Sequence, residues 1–462
     1  MSVGLFFDPE LLARYDRPGP RYTSYPTAPQ FHDRFGPNQF KAAAKRSNED
    51  PIPRDLSLYV HVPYCFSPCF YCGCNRVITR DVSRARDYLQ SLKRELDLVA
   101  PLFDTDRTLS QIHLGGGTPN FLRADELAEL MAAIDARFSI SRKTDRDFSI
   151  ELDPRHVSSS DVEALAFMGF NRVSLGVQDF DREVQLAVNR LQTVEQTLEV
   201  IEACRRVSMR SINVDLIYGL PKQTEAGFQR TLDIITEVRP DRLAVYSYAH
   251  LPQLFKPQRQ IDASQLPDPA TKLRLLELAI DSLTKAGYRY IGMDHFALPN
   301  DELSLALDAG TLQRNFMGYT THAATDLIGV GVSAISHIAD TYSQNPRDLK
   351  TYEEALGKHQ LPVWRGMDLN FDDQLRAAVI QDLMCLGEIN IGKFERQYEI
   401  NFEEYFADAL RAVQSLCDEG LAEMDAGHIR VTARGRLLVR LTAACFDAYL
   451  GRATTVQYSK VV

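Results

Sequence analysis

No stretch of this 462-residue chain approaches the ~18–20 consecutive apolar residues that span a bilayer, so a membrane helix is not expected. The opening Met-Ser-Val-Gly offers neither a basic n-region nor an apolar h-region. Nothing therefore directs export, and a reducing cytoplasmic location is expected. A surplus of positive charge is missing as well. With 52 Lys and Arg against 62 Asp and Glu, the net charge is −10, the wrong sign for general nucleic-acid affinity. A local basic pocket for an anionic small molecule stays compatible with that figure. The chain has no internal repeat and no low-complexity segment. Cys204, Cys385, Cys417 and Cys445 are scattered and read as buried small hydrophobes.

What the chain does have is four cysteines within ten residues, Cys65, Cys69, Cys72 and Cys74. The first three follow C-x3-C-x2-C. Soft thiolates select zinc or iron–sulfur clusters, and ordinary ferredoxin clusters take four cysteines. Zinc sites usually bring a second Cys or His pair some 12–20 residues away; here the next histidine is His113 and the next cysteine Cys204. A three-thiolate set on a cuboidal cluster leaves one iron open to bind and activate something else.

Length points to about three domains, or one large barrel with additions. Residues 1–55 are expected to form an irregular arm across the main domain, because Pro18-Gly-Pro-Arg-Tyr-Thr-Ser-Tyr-Pro-Thr27 excludes a helix there. Residues 56–365 alternate β-rich runs (56–62, 111–114, 147–152, 172–177, 211–217 and 242–247) with helical periodicities (85–100, 124–137, 160–168, 194–206 and 225–238). That repetition implies parallel strands with crossover helices, an α/β fold built as a partial (β/α)6 barrel. The cysteine run follows the first strand, at the end of the barrel where active sites lie. A helix at 270–285, a strand at 289–293 and the loop Gln313-Arg-Asn-Phe-Met-Gly-Tyr-Thr-Thr321 read as an extension that completes and covers the barrel. Residues 366–462 read as a mostly helical, winged-helix-like domain. Its segment 370–425 is acidic, which favours a structural or lid role over DNA.

C-x3-C-x2-C after a first strand, with Gly115-Gly-Gly-Thr-Pro119 after the second, resembles the radical S-adenosylmethionine (SAM) enzymes. The longer string Cys-x3-Cys-x-Tyr-Cys-Gly-Cys-Asn, the arm motif Pro20-Arg-Tyr-Thr-Ser-Tyr-Pro26 and Gln313-Arg-Asn-Phe together resemble the oxygen-independent coproporphyrinogen III oxidases over nearly the whole chain. A haem-chaperone branch shares the barrel and the glycine motif but typically lacks the fourth cysteine and the arm. An iron–sulfur DNA-binding regulator is disfavoured by the charge balance.

The resemblance implies a [4Fe-4S] cluster on Cys65, Cys69 and Cys72, with Cys74 as a non-ligand whose role is either catalysis beside the cluster or packing. It implies two SAM molecules, contacted by Tyr59, Tyr71, Gly116, Gly117, Thr118, Glu151, Gln178, Arg190, Asp215, Ala249 and Ile335. Cys74, Glu151 and Arg190 are the candidates for the chemistry. Asp153 suits a capping or salt-bridged acid better. The implied substrate is coproporphyrinogen III, two of whose propionates become vinyl groups after a 5′-deoxyadenosyl radical removes a hydrogen from each β-carbon. Arg21 and Arg314 are candidate anchors for its carboxylates, against plain structural pairing for either. A low-potential electron donor, an electron acceptor and a monomeric state, with neither membrane nor nucleic acid as partner, complete the expectation.

Overall fold

Six strands, β1 (Asp55–Val62), β2 (Thr108–Gly116), β3 (Asp147–Leu152), β4 (Arg172–Gln178), β5 (Ser211–Tyr218) and β6 (Arg242–Ser247), pair in parallel in chain order. The crossovers are helical: α1 (Ser83–Val99), α2 (Ala124–Asp135), α3 (Ser159–Phe167), α4 (Val194–Arg206) and α5 (Glu225–Val238). This is the expected partial (β/α)6 barrel, seen in a computed structural model that describes residues 4–322 and 325–450. The end of the third expected unit, residues 451–462, lies outside the described residues.

The strands alternate with period two. Val173, Leu175 and Val177 of β4, and Ile212, Val214 and Leu216 of β5, are buried in the core between sheet and helices. Between them Ser174, Asn213 and Asp215 line the barrel interior, beside Ser149 and Glu151 of β3. Parallel strands usually read as continuous apolar runs; these alternate because the barrel interior is polar.

Both sheet edges are extended. After α6 (Pro269–Lys285), the hairpin β7 (Arg289–Gly292) and β8 (His295–Ala297) joins β6 antiparallel. At the other edge β9 (Thr325–Val330) pairs in parallel with β1, followed by antiparallel β10 (Ile335–Ile338), β11 (Thr341–Gln344) and β12 (Arg365–Asp368). The extension thus adds a seventh parallel strand beside β1. Its last strand straddles residue 366, where the C-terminal unit was expected to begin.

The arm differs from the irregular segment expected. Two helices, Pro9–Tyr15 and Pro37–Asn48, each begin on a proline in the first turn, where its missing N–H costs nothing. Between them, residues 18–27 are not helical. Nor does the arm lie only on the barrel. Leu11, Leu12, Tyr22 and Tyr25 are buried in the C-terminal core, whereas Phe35, Phe40, Ala43 and Ala44 join the barrel core. The C-terminal unit has helices Phe371–Leu386, Ile391–Tyr398, Phe402–Tyr405 and Ala407–Asp418 and a small antiparallel sheet, as the winged-helix-like pattern implied. Among the described residues no helix is long and apolar enough to cross a membrane.

One buried ion pair ties arm, barrel and extension together. Arg107, just before β2, pairs with Asp326 of β9 at 2.6 Å, both side chains nearly inaccessible. The guanidinium also donates to Ser47 Oγ, Asn48 Oδ1 and the Arg54 carbonyl, while Asp326 accepts from the Ala339 amide. Removing one partner strands the other charge. Asp326→Ala is expected to lower stability by about 3–5 kcal/mol, read as a fall in the urea midpoint at unchanged m-value.

Candidate active site

The cysteine loop leaves the end of β1 and folds back across the barrel mouth. Tyr64–Cys65 pairs with Val77–Ile78, closing the loop at its base. Within it the Arg76 guanidinium donates to the carbonyls of Cys69 (3.2 Å), Cys72 (3.1 Å) and Cys74 (3.5 Å). One side chain thereby satisfies three backbone acceptors that no regular element could. Sequence reasoning missed Arg76; its place directly after the Cys-Gly-Cys-Asn string was the available signal.

Cys65, Cys69, Cys72 and Cys74 line one cavity of about 260 Å³ at the C-terminal ends of the strands. Tyr71, Gly116, Gly117, Thr118, Glu151, Gln178, Arg190 and Asp215 complete its polar wall. Tyr59, Ala249 and Ile335 do not line it. Tyr59 hydrogen-bonds His61 Nδ1 (3.0 Å) and pairs with Gly329, which packs against the Ile335 backbone. The Ala249 carbonyl is reached through Gln258, whose buried amide donates to both Tyr71 O (2.9 Å) and Ala249 O (3.2 Å). Gln258 is a second link that periodicity and motif reading did not single out.

The glycine run is a close approach and not an ordinary turn. Gly117 donates to Val62 O and Thr118 to Tyr64 O, and a Cβ on Gly117 would lie 2.7–2.8 Å from the backbone of Pro63 and Tyr64. Gly116 has φ +116° and donates to Glu151 Oε2 at 3.1 Å. Thr118 donates to Cys65 Sγ at 3.3 Å. At the end of β4 a bulge and a left-handed Gln178 (φ 69°) turn that side chain into the cavity wall.

Electrostatics divide the carboxylates. The Glu151 side chain is 43% exposed, but to the cavity it lines and not to open solvent. Burial pushes its carboxyl up; hydrogen bonds from His113 and the Gly116 amide outweigh that and leave it below the ordinary value. Asp215 moves the other way. Burial, and then the charge of Glu151, push it up to about 7, although Ser174 and Asn213 donate to it. Asp153 caps the turn Pro154–His156 and pairs with Arg155 (2.6 Å) and Arg190 (3.3 Å), the salt-bridged role expected. Arg190 also donates to Cys69 Sγ (3.5 Å) and Gly176 O (2.5 Å), while its buried Nε lacks a partner among the described residues. The hydrogen bond from Cys74 brings the Cys72 thiol down, against its burial.

Arg21 and Arg314 are placed elsewhere. Arg21 pairs with Asp294, and Arg314 donates to the Arg21 and Tyr22 carbonyls. Both serve as structural clasps of the arm.

The donor set fits a cuboidal cluster. Three thiols line one cavity, a donor set suited to a cluster that takes one thiolate per iron. The orphaned Arg190 Nε, the glycine cradle and the ionised Glu151 fit a polar, zwitterionic ligand beside it.

The family model described as Radical SAM superfamily matches residues 59–235, and that described as HemN C-terminal domain matches 369–438. The chain is 49% identical over 456 residues to an oxygen-independent coproporphyrinogen III oxidase of Pseudomonas aeruginosa, spanning 99% of each. The chain belongs to the oxygen-independent coproporphyrinogen III oxidases. The enzyme of that name from Escherichia coli is 45% identical, over 99% of this chain and 98% of its own. A solved structure, coproporphyrinogen III oxidase (HemN) from Escherichia coli, described as a radical SAM enzyme, superimposes with TM-score 0.91 at 44% identity. It covers 96% of this chain and 100% of that one.

If Cys69 is a ligand, Cys69→Ser abolishes cluster assembly and leaves a soluble, folded chain. Iron and sulfide analysis after anaerobic reconstitution checks this, against a far-ultraviolet dichroism spectrum that should match the parent.

Proposed function

We propose that this chain converts coproporphyrinogen III to protoporphyrinogen IX without dioxygen, in porphyrin and haem biosynthesis, by oxidative decarboxylation of two propionates to vinyl groups. The observation that carries the proposal is the convergence of three thiols, the glycine loop and Glu151 on one cavity in a chain with full-length membership of this family. A [4Fe-4S] cluster and SAM, when bound, supply a 5′-deoxyadenosyl radical able to take a hydrogen atom from a propionate β-carbon.

The chain's own residues hold and orient. Cys65, Cys69 and Cys72 are the cluster ligands, with Arg190 and Thr118 donating to the sulfurs of Cys69 and Cys65. Hydrogen bonds to a thiolate stabilise its charged form. Glu151, kept ionised, accepts hydrogen bonds from the SAM amine or ribose hydroxyls. The Gly116–Thr118 backbone lies where a side chain would block that approach. Gln178, Arg190, Asp215, Tyr71, Gly117, Thr118 and Ala249 form the surroundings of a second SAM, and Tyr59 and Ile335 those of the first. Cys74, exposed on the loop beside Cys72, acts on the reaction without ligating iron. Each propionate that loses a hydrogen atom and carbon dioxide must also lose one electron. The chain therefore works with an acceptor as well as a low-potential donor, as a cytoplasmic monomer. The arm, the catalytic barrel with its extension and the C-terminal domain are its three working units, the barrel sheet running from Asp55 to Asp368.

Anaerobic incubation of reconstituted protein with dithionite, SAM and coproporphyrinogen III should release two carbon dioxide molecules per protoporphyrinogen IX, with 5′-deoxyadenosine. Tight haem binding by the same sample without carbon dioxide release would instead identify a haem chaperone.

A further inference from the structure

The cysteine loop reaches the molecular surface at Gly73, which is exposed, while Cys74 faces the cavity. The charge around it is opposite in sign to that of the whole chain. Residues 75–86 carry four arginines and one aspartate, and residues 250–260 carry a lysine and an arginine with no acid, in a chain of net charge −10. The structure brings these segments to the same place. Thr79 donates to Cys65 O, which sets Arg80 beside the loop base. The Phe255 ring lies against Gly73, which sets Lys256 at its rim. Asn75 donates to Arg347 O at 3.0 Å, adding a third element.

Four cations of this surface form no salt bridge, and three neighbouring acids are engaged, while Asp87 and Glu353 near Arg84 also stay unpaired among the described residues. Arg80, Arg84, Lys256 and Arg347 are exposed, and none forms a salt bridge with another described residue. Asp81 accepts from Ser83, Asp348 caps the helix Leu349–Gly357, and Glu183 pairs with Lys222.

Exposed apolar side chains lie on the same elements. Ile78, Val82, Leu186, Leu191 and Leu254 are each at least 40% exposed. Ile78 pairs with Cys65, and Val82 shares a groove with Phe66. Leu186 and Leu191 flank Val188 and Asn189, which hold Phe70 and Pro68 of the loop. Leu254 precedes Phe255. Exposed apolar side chains interleaved with unpaired cations suit a small, transient, electrostatically steered interface.

Resting on the function proposed above, the geometry points to this surface as the docking site of a small acidic electron-transfer protein that reduces the cluster. One electron passes from the donor's reduced flavin or iron–sulfur centre to the oxidised cluster, and no bond forms or breaks in that step. Basic steering lets an acidic donor find the loop against the repulsion of the chain's overall negative charge.

Anaerobic stopped-flow with the cluster-loaded chain and photoreduced flavodoxin, an acidic flavin mononucleotide protein, tests this by cluster bleaching. The second-order rate should fall about tenfold or more from low to about 0.5 M salt. It should fall similarly, at low salt, in the triple variant Arg80→Glu, Arg84→Glu, Lys256→Glu. Dithionite should reduce parent and variant equally. A parent rate indifferent to salt, or a triple variant reduced by flavodoxin as fast as the parent, overturns the proposal. If the variant does not take up a cluster, the salt series on the parent decides alone. Dithionite-reduced parent that makes no 5′-deoxyadenosine would overturn the function and not the docking surface, so the two failures are distinguishable.

Discussion

A single guanidinium holds the reactive loop in shape. After Cys65 the cysteine run has no helix or strand to satisfy its carbonyls, yet three of those carbonyls converge on Arg76. The loop's shape in turn sets where its thiols can stand relative to Glu151 on β3 and Arg190 after β4. If the loop were free to splay, three of its thiols could not present one shared face to the cavity. Gly117 and Thr118 brace the same loop from below through the backbones of Val62 and Tyr64.

The polar barrel interior follows from the same requirement. Most barrels fill their centres with branched apolar side chains. Here Ser149, Ser174, Asn213 and His113 occupy that space, each bonded to another interior polar group. This network lets one carboxylate stay ionised while its neighbour is driven towards neutrality. Glu151 keeps its charge because His113 and an amide donate to it; Asp215 loses that competition to burial and to Glu151 itself. Two carboxylates with opposite tendencies at one cavity let a single site accept hydrogen bonds at one point and donate at another.

Much of this was legible in the sequence, for identifiable reasons. The six strands and five crossover helices announced themselves because sheet and helix periodicities differ and the alternation is regular. Most of the cavity wall was expected because the family resemblance named its positions, whereas Tyr59, Ala249 and Ile335, named on the same ground, lie off it. What was not legible depends on contacts between distant segments. Arg76 and Gln258 were not singled out, because their carbonyl acceptors come within reach only in the fold. The helices of the arm were hidden by its prolines, two of which start helices instead of breaking them. For Arg21 and Arg314 the sequence left carboxylate binding and structural pairing open; the fold pairs Arg21 with Asp294 and has Arg314 donate to the Arg21 and Tyr22 carbonyls, partners distant in sequence.

Three protein thiolates with one iron position reserved for the cosubstrate are the arrangement proposed for the metal centre. Electron paramagnetic resonance of the anaerobically reconstituted, reduced protein tests it most directly. Addition of SAM should change the spectrum of the reduced cluster, because the cosubstrate enters the coordination sphere of one iron. A spectrum unaltered by SAM, or a preparation that binds zinc in place of iron and sulfide, would contradict it.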